Sequence, residues 1–217
     1  MTRRGIAHHI LRKLMKSSDD GLTRTCLLTL ALACSLSGPA SAHIVAGEAG
    51  GFLSGFKHPI SGLDHILAMV SVGLWGAQLG APAIWLLPVT FPIVMAFGGF
   101  LGLIGVPFPG VEVGIAMSAL LLGAAVLAQW RPPLFAAAAL VGVFALFHGH
   151  AHGAELPPGE SGLLYSIGFV IATGMLHLIG ITIGTVHKWA WGRLLLQAAG
   201  ACVAMGGVYF LWQAVVA

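Results

Sequence analysis

The chain has 217 residues, of which 58% are hydrophobic and only 8% are charged. Soluble domains carry roughly 25% charged residues, so this composition excludes an ordinary soluble protein and indicates an integral membrane protein. The net charge of +3 does not indicate a nucleic-acid partner, because six of the ten Lys and Arg residues precede the first apolar segment.

The first 42 residues have the features of a secretory signal peptide. A basic region precedes an apolar run at residues 26–36, and Ala40-Ser41-Ala42 provides the small side chains of a cleavage site. Cleavage would make His43 the mature N-terminus. The alternative is an additional uncleaved helix, although the run is short for a span and ends at Gly38-Pro39. We predict a signal peptide at 1–42 and a transmembrane domain at 43–217.

Six further apolar segments are each long enough to cross about 30 Å of hydrocarbon as a helix. Short connections rich in Gly, Pro or polar residues separate them. The sequence therefore predicts an all-α, polytopic bundle of six transmembrane helices. The predicted spans are 62–79, 83–104, 111–129, 134–151, 162–186 and 194–216.

Two observations predict the same orientation of this bundle. Signal cleavage would place the mature N-terminus outside the cytoplasm, and six spans would return the C-terminus to that side. The loops then predicted to be cytoplasmic carry Arg131, Lys188 and Arg193, as the positive-inside rule requires.

Two short stretches concentrate imidazole and carboxylate groups. HPISGLDH lies at the start of the first predicted span, and FHGHAHGAE lies at the end of the fourth. Both stretches therefore reach the non-cytoplasmic end of the predicted bundle, and helical bundles build metal sites from such facing side chains. The candidate ligands are His58, Asp64, His65, His148, His150, His152 and Glu155.

In the first stretch, His58 and His65 are seven residues apart and would share a face if the helix began near Pro59. Asp64 could provide an oxygen ligand or orient a histidine ring. A structural alternative is a helix cap, in which Ser61 binds the first amides and Asp64 lies at the positive end of the helix dipole.

In the second stretch, His148 and His152 are four residues apart and stack on one helix face. Such a pair suits one divalent ion, with Glu155 as an oxygen ligand or ring acceptor. His150 points nearly opposite unless the helix end unwinds. We expect the two glycines of this stretch to serve close helix packing.

Three further residues complete the candidate set: His43 at the expected mature N-terminus, Glu112 and His177. Glu112 lies in the first turn of the third predicted helix, where a carboxylate also favours the helix dipole. His177 lies near the middle of the fifth predicted span, where ionisable groups mark ion pathways or proton relays. The structural alternative is a buried hydrogen bond from His177 to Thr173.

Cleavage would leave Cys202 as the only cysteine, so nitrogen and oxygen must hold any metal.

The two stretches resemble the signature motifs of the HupE/UreJ family of bacterial nickel/cobalt permeases. The resemblance extends over the predicted signal peptide, the six spans and His177 in the fifth. The matching residues are His58-Pro59, Gly62, Asp64-His65, Phe147-His148-Gly149, Ala151-His152-Gly153 and Glu155.

This resemblance implies uptake of nickel or cobalt ions across the bacterial inner membrane to supply enzymes such as hydrogenase or urease. It implies no enzymatic activity and no prosthetic group. The expected partners are the metal ion and the lipid bilayer, with self-association left open. By motif position, a metal-handling role falls on His58, Asp64, His65, His148, His152 and Glu155. Family members often carry further histidines after the signal, where this chain has only His43.

Two other functions fit the same ligand types. In an intramembrane zinc hydrolase, three histidines would hold Zn²⁺ while an aspartate activates water, although the sequence shows no evident substrate pocket. The other alternative is an accessory protein that binds metal without transporting it.

Overall fold

A computed structural model describes residues 51–156, 159 and 161–216. The predicted signal peptide and His43 lie outside this part of the chain. All regular structure within it is helical, which confirms the predicted all-α class. The elements are α1 (Gly51–Ser61), α2 (Leu63–Leu79), α3 (Ala83–Leu103), α4 (Val111–Leu127), α5 (Leu134–Ala154), α6 (Gly162–Gly184), a 3₁₀ turn (Thr185–Lys188) and α7 (Ala190–Val216).

Four helices in the described part of the chain are long and apolar enough to cross a membrane: α3, α5, α6 with its following turn, and α7. The pair α1 and α2 satisfies the same criterion together, but the two helices are bent by 81°. Helix α4 is apolar and has 17 residues, which corresponds to about 26 Å at 1.5 Å per residue. The structure thus supports four or five candidate spans, and six spans stay a prediction.

Helix α1 is not predicted by the sequence pattern. Gly62 adopts an extended conformation with φ −96° and ψ 121°, and this break separates α1 from α2. His58 and His65 therefore lie on different helices, and the expectation that they share one helix face is wrong. Pro59, the expected helix start, lies inside α1 instead.

The helix cap given above as a structural alternative at the start of α2 is also partly wrong. The Ser61 hydroxyl donates to the carbonyl of Lys57, 2.8 Å away, and Gly62 occupies the capping position without a side-chain bond. Asp64 does meet an amide of the first turn, because its Oδ1 accepts a hydrogen bond from the His65 backbone N–H at 2.8 Å.

Glycines permit close contact between the helices, as expected for a membrane bundle. A Cβ at Gly149 would collide with the carbonyl of Met95, and one at Gly153 would collide with that of Gly99. These contacts join α3 closely to α5 and confirm the packing role predicted for the two glycines. Helices α1 and α2 pack instead mainly against α6.

The two ends of the bundle differ in the residues that their loops carry. The end opposite the two histidine stretches contains the loops that carry the basic residues Arg131, Lys188 and Arg193. Exposed tryptophans also lie at this end, as they do at membrane interfaces. They are Trp85, Trp130, Trp189 and Trp191.

Candidate metal centre

The two stretches meet in a buried cluster at one end of the bundle. His58 from α1, His65 from α2 and His152 from α5 each offer a ring nitrogen, and these three atoms lie within 4.8 Å of one another. The ring of His152 has its centroid 4.4 Å from that of His58 and 4.7 Å from that of His65. We call these residues the histidine triad. Imidazole nitrogens bind divalent ions such as Zn²⁺ at about 2.0–2.1 Å, so a small closure of the rings would bring all three onto one ion.

Asp64 orients the ring of His65. Its Oδ1 accepts hydrogen bonds from the backbone amide and from Nδ1 of His65, each 2.8 Å long. Because an ionised carboxylate only accepts, Nδ1 carries the ring proton and Nε2 carries the lone pair. Nε2 is buried and has no hydrogen-bond partner in the described residues. Carboxylates fix the tautomer of metal-binding histidines in this way, and the arrangement therefore makes Asp64 an orienting group.

Gly62 makes room for this Asp64–His65 pair. A Cβ at position 62 would lie 2.6 Å from Oδ1 of Asp64 and 3.0 Å from Nδ1 of His65. Any larger residue would therefore displace the carboxylate or the ring. The glycine of the first stretch has a steric role at the site as well as a role in ending α1.

A second carboxylate lies at the outer edge of the triad. Oε2 of Glu155 is 3.7 Å from Nε2 of His58, and the Glu155 side chain is 45% exposed whereas that of His58 is 5% exposed. Glu155 follows the last residue of α5. The structure thus brings one half-exposed carboxylate to a cluster that is otherwise buried.

His148 lies one helical turn before His152 on α5 and is fully buried. Its ring centroid is 4.8 Å from that of His65, and its Nε2 is 2.9 Å from the hydroxyl of Ser118 on α4. The sequence did not indicate Ser118, because a single serine in an apolar helix usually bonds only its own backbone. The structure shows that it also contacts the second stretch.

Phe91 separates His148 from the deeper His177. Its ring centroid is 5.6 Å from that of His148 and 5.3 Å from that of His177, and both Phe91 and His177 are buried. The hydroxyl of Thr173 has no hydrogen-bond partner in the described part of the chain. The structural alternative for His177, a buried hydrogen bond to Thr173, is therefore wrong.

Two candidate residues do not join the cluster. Nε2 of His150 donates to the carbonyl of Val106, 2.8 Å away, and its ring lies 5.3 Å from that of Phe108. This confirms that His150 points away from the face of His148 and His152. Glu112 is exposed in the first turn of α4. A metal role for either residue rests on the sequence alone.

An apolar cavity of about 360 Å³ lies beside the triad, between α3, α5 and α6. It reaches His152, and its lining includes Tyr165 and Phe169. The centroid of Phe169 is 4.2 Å from that of His152, and the centroid of Tyr165 is 6.0 Å from that of His58. The sequence did not predict this cavity, because its walls come from three separate segments.

Apolar helices around a buried histidine cluster indicate a membrane protein with a candidate metal centre. The family model described as "HupE / UreJ protein" matches residues 30–210. Protein HupE of Rhizobium leguminosarum bv. viciae is 44% identical over 188 residues, which cover 86% of this chain and 95% of that protein. The chain belongs to the HupE/UreJ family, and the resemblance seen in its motifs is confirmed. No solved structure matches it.

Proposed function

We propose that this protein is a permease that takes up nickel or cobalt ions across the bacterial inner membrane and supplies a nickel enzyme such as hydrogenase or urease. The observation that carries the proposal is the histidine triad, in which three helices bring buried ring nitrogens within 4.8 Å of one another. Membership of the HupE/UreJ family supports it.

The chemistry of the triad suits these ions. Imidazole nitrogens bind Ni²⁺ and Co²⁺, with Asp64 holding His65 in the ligating tautomer. The same nitrogens would also bind Cu²⁺ and Zn²⁺, because the order of affinity among divalent ions depends more on the ion than on the protein site. Selectivity in this proposal comes from the geometry of the closed site and from the ions that are available.

The proposed route crosses the bundle along aromatic and imidazole rings. The ion enters beside Glu155 and binds at the triad. It then passes His148 and the Phe91 ring to reach His177. Binding along such a route must be firm enough to admit the ion and weak enough to release it.

The proposed topology has six spans, with α1 and α2 forming the bent first span and α4 a short third one. A signal peptide at 1–42 and two periplasmic termini complete it. The three basic residues at the opposite end support a cytoplasmic location for that end. The triad then faces the periplasm.

Uptake of ⁶³Ni²⁺ tests the function, with His152→Ala as the variant and His150→Ala as the matched control on the same helix. Cells or proteoliposomes that contain the intact chain should accumulate nickel. The His152→Ala variant should lose accumulation at equal membrane abundance, and His150→Ala should retain it. Absence of flux through the unaltered chain in proteoliposomes would reject a permease, while metal binding without flux would favour an accessory protein.

The cavity beside His152 is the observation that favours an intramembrane zinc hydrolase, since an apolar substrate would need such a space. One observation argues against this alternative. Oδ1 of Asp64 already accepts two hydrogen bonds from His65, and a hydrolase would need the aspartate to activate water. Release of a fatty acid from amide or ester lipids by the purified, zinc-loaded chain would favour the hydrolase. Lack of release together with nickel flux would favour the permease.

A further inference from the structure

The hydrogen bonds of Ser118 determine which nitrogen of His148 carries the proton. The serine hydroxyl lies 2.6 Å from the carbonyl oxygen of Ile115 and 2.9 Å from Nε2 of His148. A hydroxyl donates one proton, and a carbonyl can only accept. Because the shorter bond to Ile115 uses the serine proton, Nε2 of His148 must donate to the serine oxygen. The lone pair of the neutral imidazole is therefore on Nδ1.

This Nδ1 of His148 is buried without a hydrogen-bond partner in the described residues. Leaving a buried acceptor unpaired is unfavourable, and this nitrogen is therefore available to a ligand that reaches it. The neighbouring His65 ring, 4.8 Å away between centroids, shows the same pattern with its nitrogens exchanged. In each ring one nitrogen is engaged by an oxygen acceptor and the other is unpaired.

We propose that Ser118 is a positioning residue that holds His148 in the Nε2–H tautomer, so that Nδ1 acts as a fourth nitrogen ligand for the ion bound at the histidine triad. This inference rests on the proposed function. Ser118 then does for His148 what Asp64 does for His65, as outer groups do in many metal sites. A neutral hydroxyl suits this fully buried position because a second carboxylate would be costly to bury inside the bundle.

Titration of the purified full-length chain with Co²⁺ tests the ligand role, because the visible absorption of bound Co²⁺ depends on its coordination. Ser118→Ala should weaken Co²⁺ binding about 10–100-fold and change the absorption spectrum, because Nε2 loses its acceptor and the ring its orientation. Ser118→Thr retains the hydroxyl and should restore binding.

Ser71→Ala is the matched control, since Ser71 is also fully buried but its hydroxyl has no hydrogen-bond partner in the described part of the chain. It should bind Co²⁺ like the unaltered chain. Equal affinity and equal spectra for Ser118→Ala and Ser71→Ala would overturn the proposal while leaving the proposed function intact.

A measurement on the metal-free, unaltered chain covers the case in which the Ser118 variants do not fold. Nitrogen-15 NMR of histidine-labelled protein, with His148 assigned by its loss in His148→Ala, should show a protonated Nε2 and an unprotonated Nδ1. The reverse pattern would overturn the role of Ser118. A chain that shows the expected tautomer but binds no Co²⁺ would reject the ligand role and the proposed function, leaving only the hydrogen-bonding arrangement.

Discussion

His58 on α1 and His152 on α5 face each other edge to face, with ring centroids 4.4 Å apart and an interplanar angle of 89°. They come from the two histidine stretches, which the chain separates by three helices. This contact is the most direct link between the stretches, and it brings a third histidine, His65, within ligand distance of both.

Replacing Asp64 by Asn should weaken nickel binding about 10–100-fold, the usual effect of removing a carboxylate that orients a metal-binding histidine. The neutral amide can still contact His65, but it no longer enforces a proton on Nδ1. Calorimetric titration of the purified chain with Ni²⁺ measures the effect. Glu112→Gln, which removes an exposed carboxylate outside the cluster, is the control and should bind normally. Equal affinities for the two variants would contradict the orienting role.

Replacing Gly62 by Ala should impair the site more than the fold. The new Cβ would lie 2.6 Å from Oδ1 of Asp64, and the carboxylate or the His65 ring must move away. We expect loss of Ni²⁺ binding with a change in melting temperature of only a few degrees. Gly174→Ala provides the comparison, since its Cβ would meet nothing within 4 Å. Normal nickel affinity of Gly62→Ala would show that the pair tolerates displacement.

Replacing Gly153 by Ala should prevent normal assembly of α3 and α5, because the Cβ would collide with the carbonyl of Gly99. The reciprocal variant is the control: a Cβ at Gly99 would lie 3.5 Å from the Gly149 carbonyl, an ordinary contact. Size-exclusion chromatography of fluorescently tagged protein should show aggregation for Gly153→Ala and a single peak for Gly99→Ala. Two similar profiles would mean that the helices separate at little cost.

Cysteine labelling should place the two ends of the bundle on opposite sides of the membrane. Glu112→Cys should react with a membrane-impermeant maleimide added to spheroplasts, whereas Lys188→Cys should react only after the membrane is permeabilised. Cys202 is buried and should contribute little background. Labelling of Lys188→Cys in intact spheroplasts would contradict the proposed orientation.

The sequence predicted the helical class, the limits of most helices and the meeting of the two stretches at one end. Long apolar segments with Pro and Gly between them carry that information locally. It did not predict α1, because residues 51–61 are too short and too mixed to be distinguished from a loop. Ser118, Phe91 and Phe169 were also missed, since each lies in an unremarkable apolar segment. Only the packing of α3 and α4 on α5, and of α6 on α1 and α2, brings them to the histidines.

The division of packing partners among the helices has a mechanical consequence. His152 belongs to α5, which glycine contacts join closely to α3, whereas His58 and His65 belong to α1 and α2, which pack mainly on α6. A cation shared by all three imidazoles would link α5 directly to α1 and α2, in addition to the contact that α2 already makes with α3. Metal loading would add this link to the helix packing, and release of the ion would remove it.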